Sequence, residues 1–219
     1  MIDGNRAAND DGVYELNPEL VKNWFDEGRY CRIGTIGDGS CFFHSVCKAL
    51  DVKAYRSMDS KSRRAMIQSF RYGLSQAFTE NEYNEITKSL VGTKKRDYDA
   101  MKTALKEVPT WADEAMIRYV ANKVKCNIVF MNFGNNENRM YCGVHQAETL
   151  NAVANCGAPK SPTVIVAWVD HSHFELIGRI DDVSDKQISI RCVFDPMDAR
   201  DAKTIENVMR AYQVKCKLK

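Results

Sequence analysis

Apolar and polar positions divide the chain into a helical first half and a second half that favours strands. From residue 60 to 107, apolar residues recur at helical spacing, as at Met66, Ile67, Phe70, Leu74 and Phe78. From residue 127 onward they form short runs rich in β-branched residues, and the run over 163–169 has the character of a buried strand. Helices followed by strands are typical of an α+β fold, so we predict a central, mostly antiparallel sheet flanked by helices.

Capping signals and glycines refine the predicted boundaries. Asn17 and Pro18 are suited to begin a helix, whereas Gly28 is suited to end it. Thr79 and Glu82 have the spacing of a capping box. The sequence predicts helices over residues 17–28, 41–50, several parts of 60–107, 110–125 and 202–212. It predicts strands over residues 30–36, 127–132, 139–142, 163–169, 173–178 and 188–194, with a long loop over 145–162.

Length and composition favour one domain with short additions. The chain has 219 residues, of which 44% are hydrophobic and 27% charged, so it can bury a core. We predict a flexible N-terminus over 1–12, a main domain over 13–180, and a strand–helix extension over 181–219 packed on that domain. The 31 basic and 29 acidic residues give a net charge of +2, which is not the signature of a nucleic-acid-binding protein. We expect a monomer.

The hydropathy of the chain also bears on its location. No run approaches the roughly 18 apolar residues of a membrane span, and the N-terminus lacks the apolar core of a signal peptide. We therefore expect no membrane contact and a cytoplasmic location, with the nucleus as the alternative. In either compartment cysteine thiols stay reduced.

The cysteines do not have the spacing of a metal site. Eight are present, and no C-x-x-C pair occurs among them. Most are interpreted as small apolar core residues. Cys142 and His145 form the one lone pair of possible ligands that we considered, and we predict neither a metal nor an organic cofactor.

Cys41 is the candidate nucleophile. It follows the Gly-Asp-Gly-Ser turn of residues 37–40 and begins the predicted helix over 41–50. At this position, free backbone N–H groups and the helix dipole are expected to stabilise a thiolate and lower the pKa of the thiol. The same N–H groups can hold the oxyanion that forms when a thiolate attacks a carbonyl. The alternative interpretation is a buried structural cysteine beside a turn.

A nucleophilic thiol needs a base, and the chain has four histidines. His171 and His173 follow the buried strand over 163–169, far in sequence from the nucleophile, as expected when nucleophile and base meet through the fold. Strand periodicity places both on one face and does not choose between them. The alternation after His173 favours it, because Phe174 and Leu176 then anchor the strand in the core.

Glu175 shares the predicted strand face of His173 and lies two residues beyond it. Its carboxylate can accept the imidazole N–H and fix the tautomer of the base, as an acid does in a catalytic triad. The alternative interpretation is a surface strand whose outward residues happen to be histidine and glutamate.

The segment over residues 37–44, Gly-Asp-Gly-Ser-Cys-Phe-Phe-His, resembles the D-G-[SN]-C-[LF]-[FY] box of ovarian-tumour (OTU) cysteine proteases. His173-Phe174 is similar to the catalytic histidine and following aromatic residue of that family. Residues 111–114 (Trp-Ala-Asp-Glu), with the helix and strand after them, resemble the segment between those two landmarks. The three landmarks span about residues 30 to 180, most of the chain.

The resemblance implies a papain-like OTU fold and a thiol-dependent ubiquitin hydrolase, that is, a deubiquitinating isopeptidase. It implies that Cys41 attacks the last carbonyl of ubiquitin to form a thioester, while His173 moves the proton. It gives Asp38 a catalytic role in shaping the turn, with the backbone of Asp38, Gly39 and Cys41 as the oxyanion hole. The family often has Asp or Asn where this chain has Glu175, which keeps an acceptor on a longer arm.

The implied partners are ubiquitin and polyubiquitin, or a ubiquitin-like modifier. One alternative is an inactive relative that binds ubiquitin without cutting it, and the presence of Cys41, His173 and an acid argues against that. Another is a different papain-like thiol enzyme, such as an acyltransferase or a protease for another tail. The preferred ubiquitin linkage does not follow from the sequence.

Overall fold

The computed structural model of the protein describes residues 12–88, 96–132, 144–145, 161–169, 172–181 and 189–217. Its helices are α1 (Pro18–Trp24), α2 (Cys41–Leu50), α3 (Val52–Ser57), α4 (Ser60–Ala77), α5 (Glu80–Lys88), α6 (Tyr98–Lys106), α7 (Glu114–Val124) and α8 (Ala199–Lys217). Its strands are β1 (Val13–Glu15), β2 (Tyr30–Ile33), β3 (Asn127–Asn132), β4 (Val144–His145), β5 (Thr163–Val169), β6 (His173–Asp181), β7 (Ser189–Arg191) and β8 (Val193–Phe194).

The strands form one mostly antiparallel sheet. Their order is β1-β2-β6-β5-β3-β4, with β7 beside β6 and β8 beside β5. The β3–β5 pair is parallel, and every other pair of described strands is antiparallel. The predicted α+β class, with a mostly antiparallel sheet flanked by helices, is therefore confirmed. The pairing of β2 with β6 places an N-terminal strand beside the strand that begins at His173.

Helices cover both faces of the sheet, each over its own apolar core. One core lies between the sheet and helices α2 to α7 and includes Phe42, Leu105 and Val166. The other lies between the sheet and helices α1 and α8 and includes Trp24 and Ile205. Successive residues of β5 alternate between the two cores, which is why this strand is a continuous apolar run in the sequence.

Side-chain caps set the starts of several helices. Asn17 accepts a backbone N–H at 2.8 Å at the start of α1, as predicted. Thr79 and Glu82 form the predicted capping box, with reciprocal hydrogen bonds of 2.9 and 3.3 Å. The prediction that a helix begins at Thr110 is wrong, because the carboxylate of Asp113 caps α7 instead.

Several elements differ from their predicted bounds. β1 and α3 have no counterpart in the prediction, since three and six residues are too few to show a period. The strand predicted over 188–194 is divided into β7 and β8, which pair with different neighbours. β6 continues to Asp181, and α8 extends beyond the predicted 202–212 at both ends. The predicted strand over 139–142 and most of the predicted loop over 145–162 lie outside the described residues.

Helix α8 is joined to the sheet by a buried ion pair. Arg179 of β6 lies 2.7 Å from Asp201 of α8, and the two side chains are 5% and 0% exposed. Ile205 and Val208 of the same helix are buried in the second core. The described part of the C-terminal segment is therefore packed on the sheet. None of the helices in the described ranges has the length and hydropathy that a membrane span requires.

Candidate active site

The turn before α2 presents Cys41 at the first position of the helix. Gly39 has φ of +87°, a left-handed conformation that glycine adopts at no steric cost. The carboxylate of Asp38 accepts the N–H of Ser40 at 2.9 Å and holds the turn closed. The backbone of Phe42 and of Cys41 itself, at the start of α2, favours the thiolate form and acts to lower the pKa of the Cys41 thiol.

The connection between α6 and α7 closes against this turn. A Cβ added at Gly39 would lie 2.7 Å from the carbonyl oxygen and 2.8 Å from the Cα of Pro109. The hydroxyl of Ser40 donates to the carbonyl of Val108 at 2.6 Å. The conformation of the turn is therefore fixed by close contact with a second segment as well as by its own hydrogen bonds.

Arg71 of α4 hydrogen-bonds both the turn before α2 and the connection between α6 and α7. Its side chain is fully buried and donates to the Ser40 hydroxyl at 2.7 Å and to the Val108 carbonyl at 3.0 Å. Further hydrogen bonds of 2.7 to 3.0 Å go to the carbonyls of Ala104, Leu105 and Thr110. Burial lowers the pKa of its guanidinium to about 10, so the side chain stays charged at neutral pH.

The fold brings the start of α2 against the start of β6. Phe42 and Phe174, each next in sequence to a predicted catalytic residue, pack edge to face with ring centroids 6.1 Å apart. Ser45 Oγ lies 2.9 Å from the carbonyl oxygen of Cys41 and 3.4 Å from that of Phe174. The Phe174 backbone also acts to lower the pKa of the Cys41 thiol. The candidate nucleophile therefore lies beside the strand that carries His173.

A chain of hydrogen bonds assigns the tautomer of neutral His173. Thr35 Oγ1 donates its one proton to the carbonyl of Phe174 at 2.5 Å. The same oxygen lies 3.3 Å from Nε2 of His173, so it must accept there, and Nε2 carries the proton. Nδ1 is then the free base. It lies 4.0 Å from the position of a Cβ added at Gly37, which belongs to the turn before Cys41.

The pKa of the Cys41 thiol is raised above its ordinary value of 9.0, chiefly by burial. Hydrogen bonds from the backbone of Phe174 and Phe42 favour the thiolate but are outweighed, and the charge of Asp38 opposes it. The backbone at the helix start does favour the thiolate, as expected, but burial outweighs it and the net shift of the pKa is upward. The side chain is only 4% exposed, and the charged form loses its hydration. The Cys41 side chain is therefore a neutral thiol near pH 7.

The pKa of His173 is shifted in the opposite direction. Burial lowers it below the ordinary 6.5, a backbone hydrogen bond with Thr35 partly opposes this, and the charge of Arg32 lowers it further. The thiol and the imidazole therefore form a neutral pair near pH 7.

Glu175 is fully buried beside His173. Its Oε1 lies 3.9 Å from Nε2 of His173, which is too long for a hydrogen bond. Its Oε2 lies 2.7 Å from Nε of Arg32 in β2. The hydrogen bond to Nε2 belongs to Thr35, so the orienting role of Glu175 stays a prediction and would be shared with that residue.

Asp38 connects the turn to the interior. Its second oxygen lies 3.2 Å from Nε2 of His44, whose Nδ1 contacts the hydroxyl of Tyr55. Burial alone would raise the pKa of Asp38, but hydrogen bonds with His44 and Ser40 and the charge of Arg64 lower it overall. The carboxylate stays ionised and acts on the shape of the turn.

Two residues that the sequence singled out, His171 and Cys142, lie outside the described part of the chain. The preference for His173 over His171 therefore rests on the sequence argument and on the contacts of His173. In the described ranges, no group of three or more His, Cys, Asp or Glu side chains is placed to hold a metal ion. The cysteines whose side chains are described are free and buried.

Comparison with known proteins gives similarity in structure only. No family model matches the chain, and no curated protein matches it. The structure of the OTUD1 OTU domain is 14% identical with a TM-score of 0.46, over 68% of this chain and 85% of that one. An OTU domain in complex with ubiquitin is 12% identical with a TM-score of 0.48, over 88% of each chain. The viral OTU domain protease from Qalyub virus is 11% identical with a TM-score of 0.43, over 76% and 98%. The chain is similar in fold to these three OTU domains.

Thr35, Arg71 and Arg32 are brought to the site by the fold without having been identified from the sequence. Arg32 had a detectable signal, because a charge between Cys31 and Ile33 in an apolar strand needs a buried partner. Arg71 lies in a helix rich in charged residues, where a buried arginine looks like an exposed one. Thr35 lies in an irregular segment that has no period to interpret.

Proposed function

We propose that this protein is a deubiquitinating cysteine isopeptidase. Its substrate is ubiquitin, or a ubiquitin-like modifier, joined through its last carbonyl to a lysine side chain or to another ubiquitin. Cys41 is the nucleophile, and His173 is the base that takes the thiol proton and later protonates the leaving amine. Asp38 shapes the turn, and the backbone of Asp38, Gly39 and Cys41 lines the oxyanion hole.

The observation that carries this proposal is the position of the free imidazole nitrogen. Thr35 holds the proton of His173 on Nε2, and Nδ1 lies on the side of the Gly37 turn. The Cys41 thiol lies beside the backbone of Phe174, the next residue of the same strand. A thiol and an unprotonated imidazole nitrogen on adjoining elements are the parts that acyl transfer by a cysteine enzyme needs.

The reaction proceeds in two steps. The Cys41 sulfur forms a bond to the carbonyl carbon as its proton passes to Nδ1 of His173, and the resulting oxyanion is held by backbone N–H groups. The tetrahedral intermediate collapses with cleavage of the C–N bond, and the imidazolium gives its proton to the lysine amine. Water, deprotonated by the imidazole, then hydrolyses the thioester and restores the thiol.

The substrate class and the chemistry have different support. The chemistry is supported by the geometry of Cys41, Thr35 and His173. The substrate class is supported by the resemblance of residues 37–44, 111–114 and 173–174 to the OTU pattern. The experiment must therefore vary the substrate as well as the nucleophile.

Cleavage of di-ubiquitin of every linkage tests the proposal. We expect the wild-type chain to cleave at least one linkage in the presence of a reductant. Cys41→Ala should abolish cleavage and still bind ubiquitin, because affinity comes from a surface separate from the sulfur. Cys47→Ala is the matched control, since Cys47 is also a buried free cysteine of α2 and should leave the cleavage pattern unchanged.

Other outcomes separate the alternatives. Binding of ubiquitin without cleavage by the wild type identifies an inactive relative. Neither binding nor cleavage of any linkage, with a thiol that still reacts with small electrophiles, indicates a different papain-like thiol enzyme. Cleavage by Cys41→Ala at the wild-type rate shows that the nucleophile assignment is wrong.

A further inference from the structure

Arg32 and Glu175 form a buried ion pair beside the candidate base. Arg32 Nε and Glu175 Oε2 are 2.7 Å apart, and the two side chains are 2% and 0% exposed. Strand pairing aligns Arg32 with Ile177, so Arg32 and Glu175 are diagonal neighbours on one face of the sheet. The same face carries His173, which is two residues before Glu175 in β6.

An ion pair in such a place adds little to stability. Taking two charges out of water offsets most of their attraction, and apolar residues of similar volume often stabilise a core as well or better. Apolar side chains would suit this position, because the neighbouring residues Tyr30 and Ile177 belong to the apolar core under α1 and α8. The pair also lies beside His173, whose Nε2 is 3.9 Å from Glu175 Oε1.

We propose that Arg32 is a positioning residue that holds Glu175 in place and cancels its charge, so that His173 remains an unprotonated base. The proposal rests on the assignment of His173 as the base of a thiol enzyme. Arg32 acts on His173 through Glu175 and not on the substrate.

Several elements bring charged or titratable groups towards His173. Among the described residues these groups are Arg32 of β2, Asp38 of the turn, Cys41 and His44 of α2, and Glu175 of β6. Burial is the largest cause of the lowered pKa of His173, the charge of Arg32 acts in the same direction, and that of Asp38 opposes both. Arg32 is therefore the group whose removal raises the pKa of His173 most directly, because the change also removes the cation paired with Glu175.

Without the Arg32 charge, the Glu175 carboxylate keeps its negative charge 3.9 Å from the imidazole but loses the cation that lies 2.7 Å from it. An opposite charge within about 4–6 Å typically moves a pKa by one to three units toward the charged form. His173 then takes up a proton at higher pH. The active form, which requires the thiol–imidazole pair to have lost one proton, is reached only at correspondingly higher pH.

An NMR titration of the His173 ring protons in the full chain tests this, with assignment by comparison with His173→Gln. Arg32→Gln keeps a donor for Glu175 but removes the charge, and should raise the midpoint by about one pH unit or more. The double variant Arg32→Gln/Glu175→Gln removes both charges and should return the midpoint to within about 0.5 unit of wild type. Arg29→Gln, which breaks an exposed pair with Glu15, is the matched control and should leave the midpoint unchanged.

A rise in Arg32→Gln that the double variant reverses supports the proposal. A midpoint that stays in place or moves down in Arg32→Gln overturns it. If Arg32→Gln does not fold, Glu175→Gln decides: it removes the carboxylate beside His173 and keeps the Arg32 charge, so it must lower the midpoint, and a rise contradicts the proposal.

The titration also separates this proposal from the proposed function. It is read without substrate, so a chain that shifts as expected but cleaves no ubiquitin contradicts the proposed function alone. In a chain that cleaves ubiquitin, the acid limb of kcat/KM should move with the NMR midpoint in Arg32→Gln. A purely structural role for Arg32 would lower kcat/KM at every pH and leave the limb in place.

Discussion

Cys41 and His173 are both shifted away from a preformed ion pair. Burial raises the pKa of the thiol and lowers that of the imidazole. The imidazole of His173 is therefore neutral near pH 7, and its hydrogen bond with Thr35 places the proton on Nε2. The site therefore holds no thiolate at rest. It holds a neutral imidazole whose Nδ1 is free to accept a proton, on the strand that lies beside Cys41.

The pH dependence of kcat/KM follows from these two shifts. Activity requires an unprotonated His173, whose pKa lies below 6.5, and the thiol is not ionised below its own pKa above 9.0. We expect a plateau from about pH 6.5 to 9 and a fall below it as the imidazole gains a proton. Measurement with a ubiquitin C-terminal fluorophore at constant ionic strength checks this. An acid limb centred above pH 6.5 would contradict the neutral pair.

Thr35→Val removes the hydroxyl that fixes the tautomer and keeps most of the side-chain volume. Losing tautomer control costs about 10⁴-fold in a serine protease, which is the upper limit here because Glu175 remains nearby. We expect kcat/KM to fall by roughly ten- to a hundredfold. Thr35→Ser should restore most of the loss, since it keeps both hydrogen bonds. Equal rates for Thr35→Val and wild type would show that another group orients His173.

The candidate nucleophile and the candidate base could be predicted from the sequence, because each lies in a short pattern of neighbouring residues. Cys41 follows a glycine-containing turn, and His173 starts an alternation of polar and apolar residues. The direction of their pKa shifts could not be read in the same way. A helix start favours a thiolate, but whether burial outweighs it depends on how α2 packs on β6, which is a tertiary property.

The turn before α2 is held by its own hydrogen bonds, by α4 and by the connection between α6 and α7. Asp38 and Ser40 close it from within, whereas Arg71 of α4 and the α6–α7 connection hold it from outside. A glycine pattern in the sequence predicts a tight turn, but not the segment against which it closes. The contact between Gly39 and Pro109 joins residues 70 positions apart, and no local pattern encodes it.

Gly39→Ala should be among the most damaging single changes in this turn. A Cβ there would lie 2.7 Å from a Pro109 carbonyl oxygen, and φ is +87°. In the proposed mechanism the resulting shift of the turn displaces the N–H groups of the oxyanion hole, and loss of one such donor costs about 10²- to 10³-fold in kcat. We expect a loss of that order in kcat/KM, measured at a temperature where the variant is folded by circular dichroism.

Gly73→Ala is the matched control for this substitution. Gly73 lies inside α4, where an added Cβ meets nothing within 4 Å. Alanine is favoured over glycine in a helix interior by about 1 kcal/mol, so the variant should be more stable and equally active. Full activity in both glycine variants would show that the conformation of the turn is not needed for catalysis.

Helices cover both faces of the sheet, and this arrangement explains which strands could be predicted from the sequence. β3 and β5 are buried on both faces and read as apolar runs, so their predicted bounds are those of the structure. β7 and β8 have two or three residues each and pair with different strands, so a single predicted strand over 188–194 merged them. Pairing partners depend on the whole sheet and cannot be derived from one segment.

Helix α8 contributes to the stability of the sheet as a whole. Ile205 is 2% exposed in the core shared with α1, and truncating it leaves a cavity. Ile205→Ala should lower the free energy of unfolding by about 2–5 kcal/mol, measured by denaturant titration. Met197→Ala is the control, because Met197 is 89% exposed and should change stability by less than about 0.5 kcal/mol. Equal stability of the two variants would show that α8 does not pack as described.

The central claim is that Cys41 is the nucleophile of an enzyme that recognises ubiquitin. Ubiquitin carrying an electrophile in place of its C-terminal carboxylate tests both halves of this claim at once, because the electrophile reacts only when binding delivers it to an active thiol. The account predicts a covalent adduct of one ubiquitin per chain, mapped by peptide mass spectrometry to Cys41. The adduct should be lost in Cys41→Ala, slowed in His173→Ala and unchanged in Cys47→Ala. No adduct with the wild-type chain, or an adduct at another cysteine, would contradict the account.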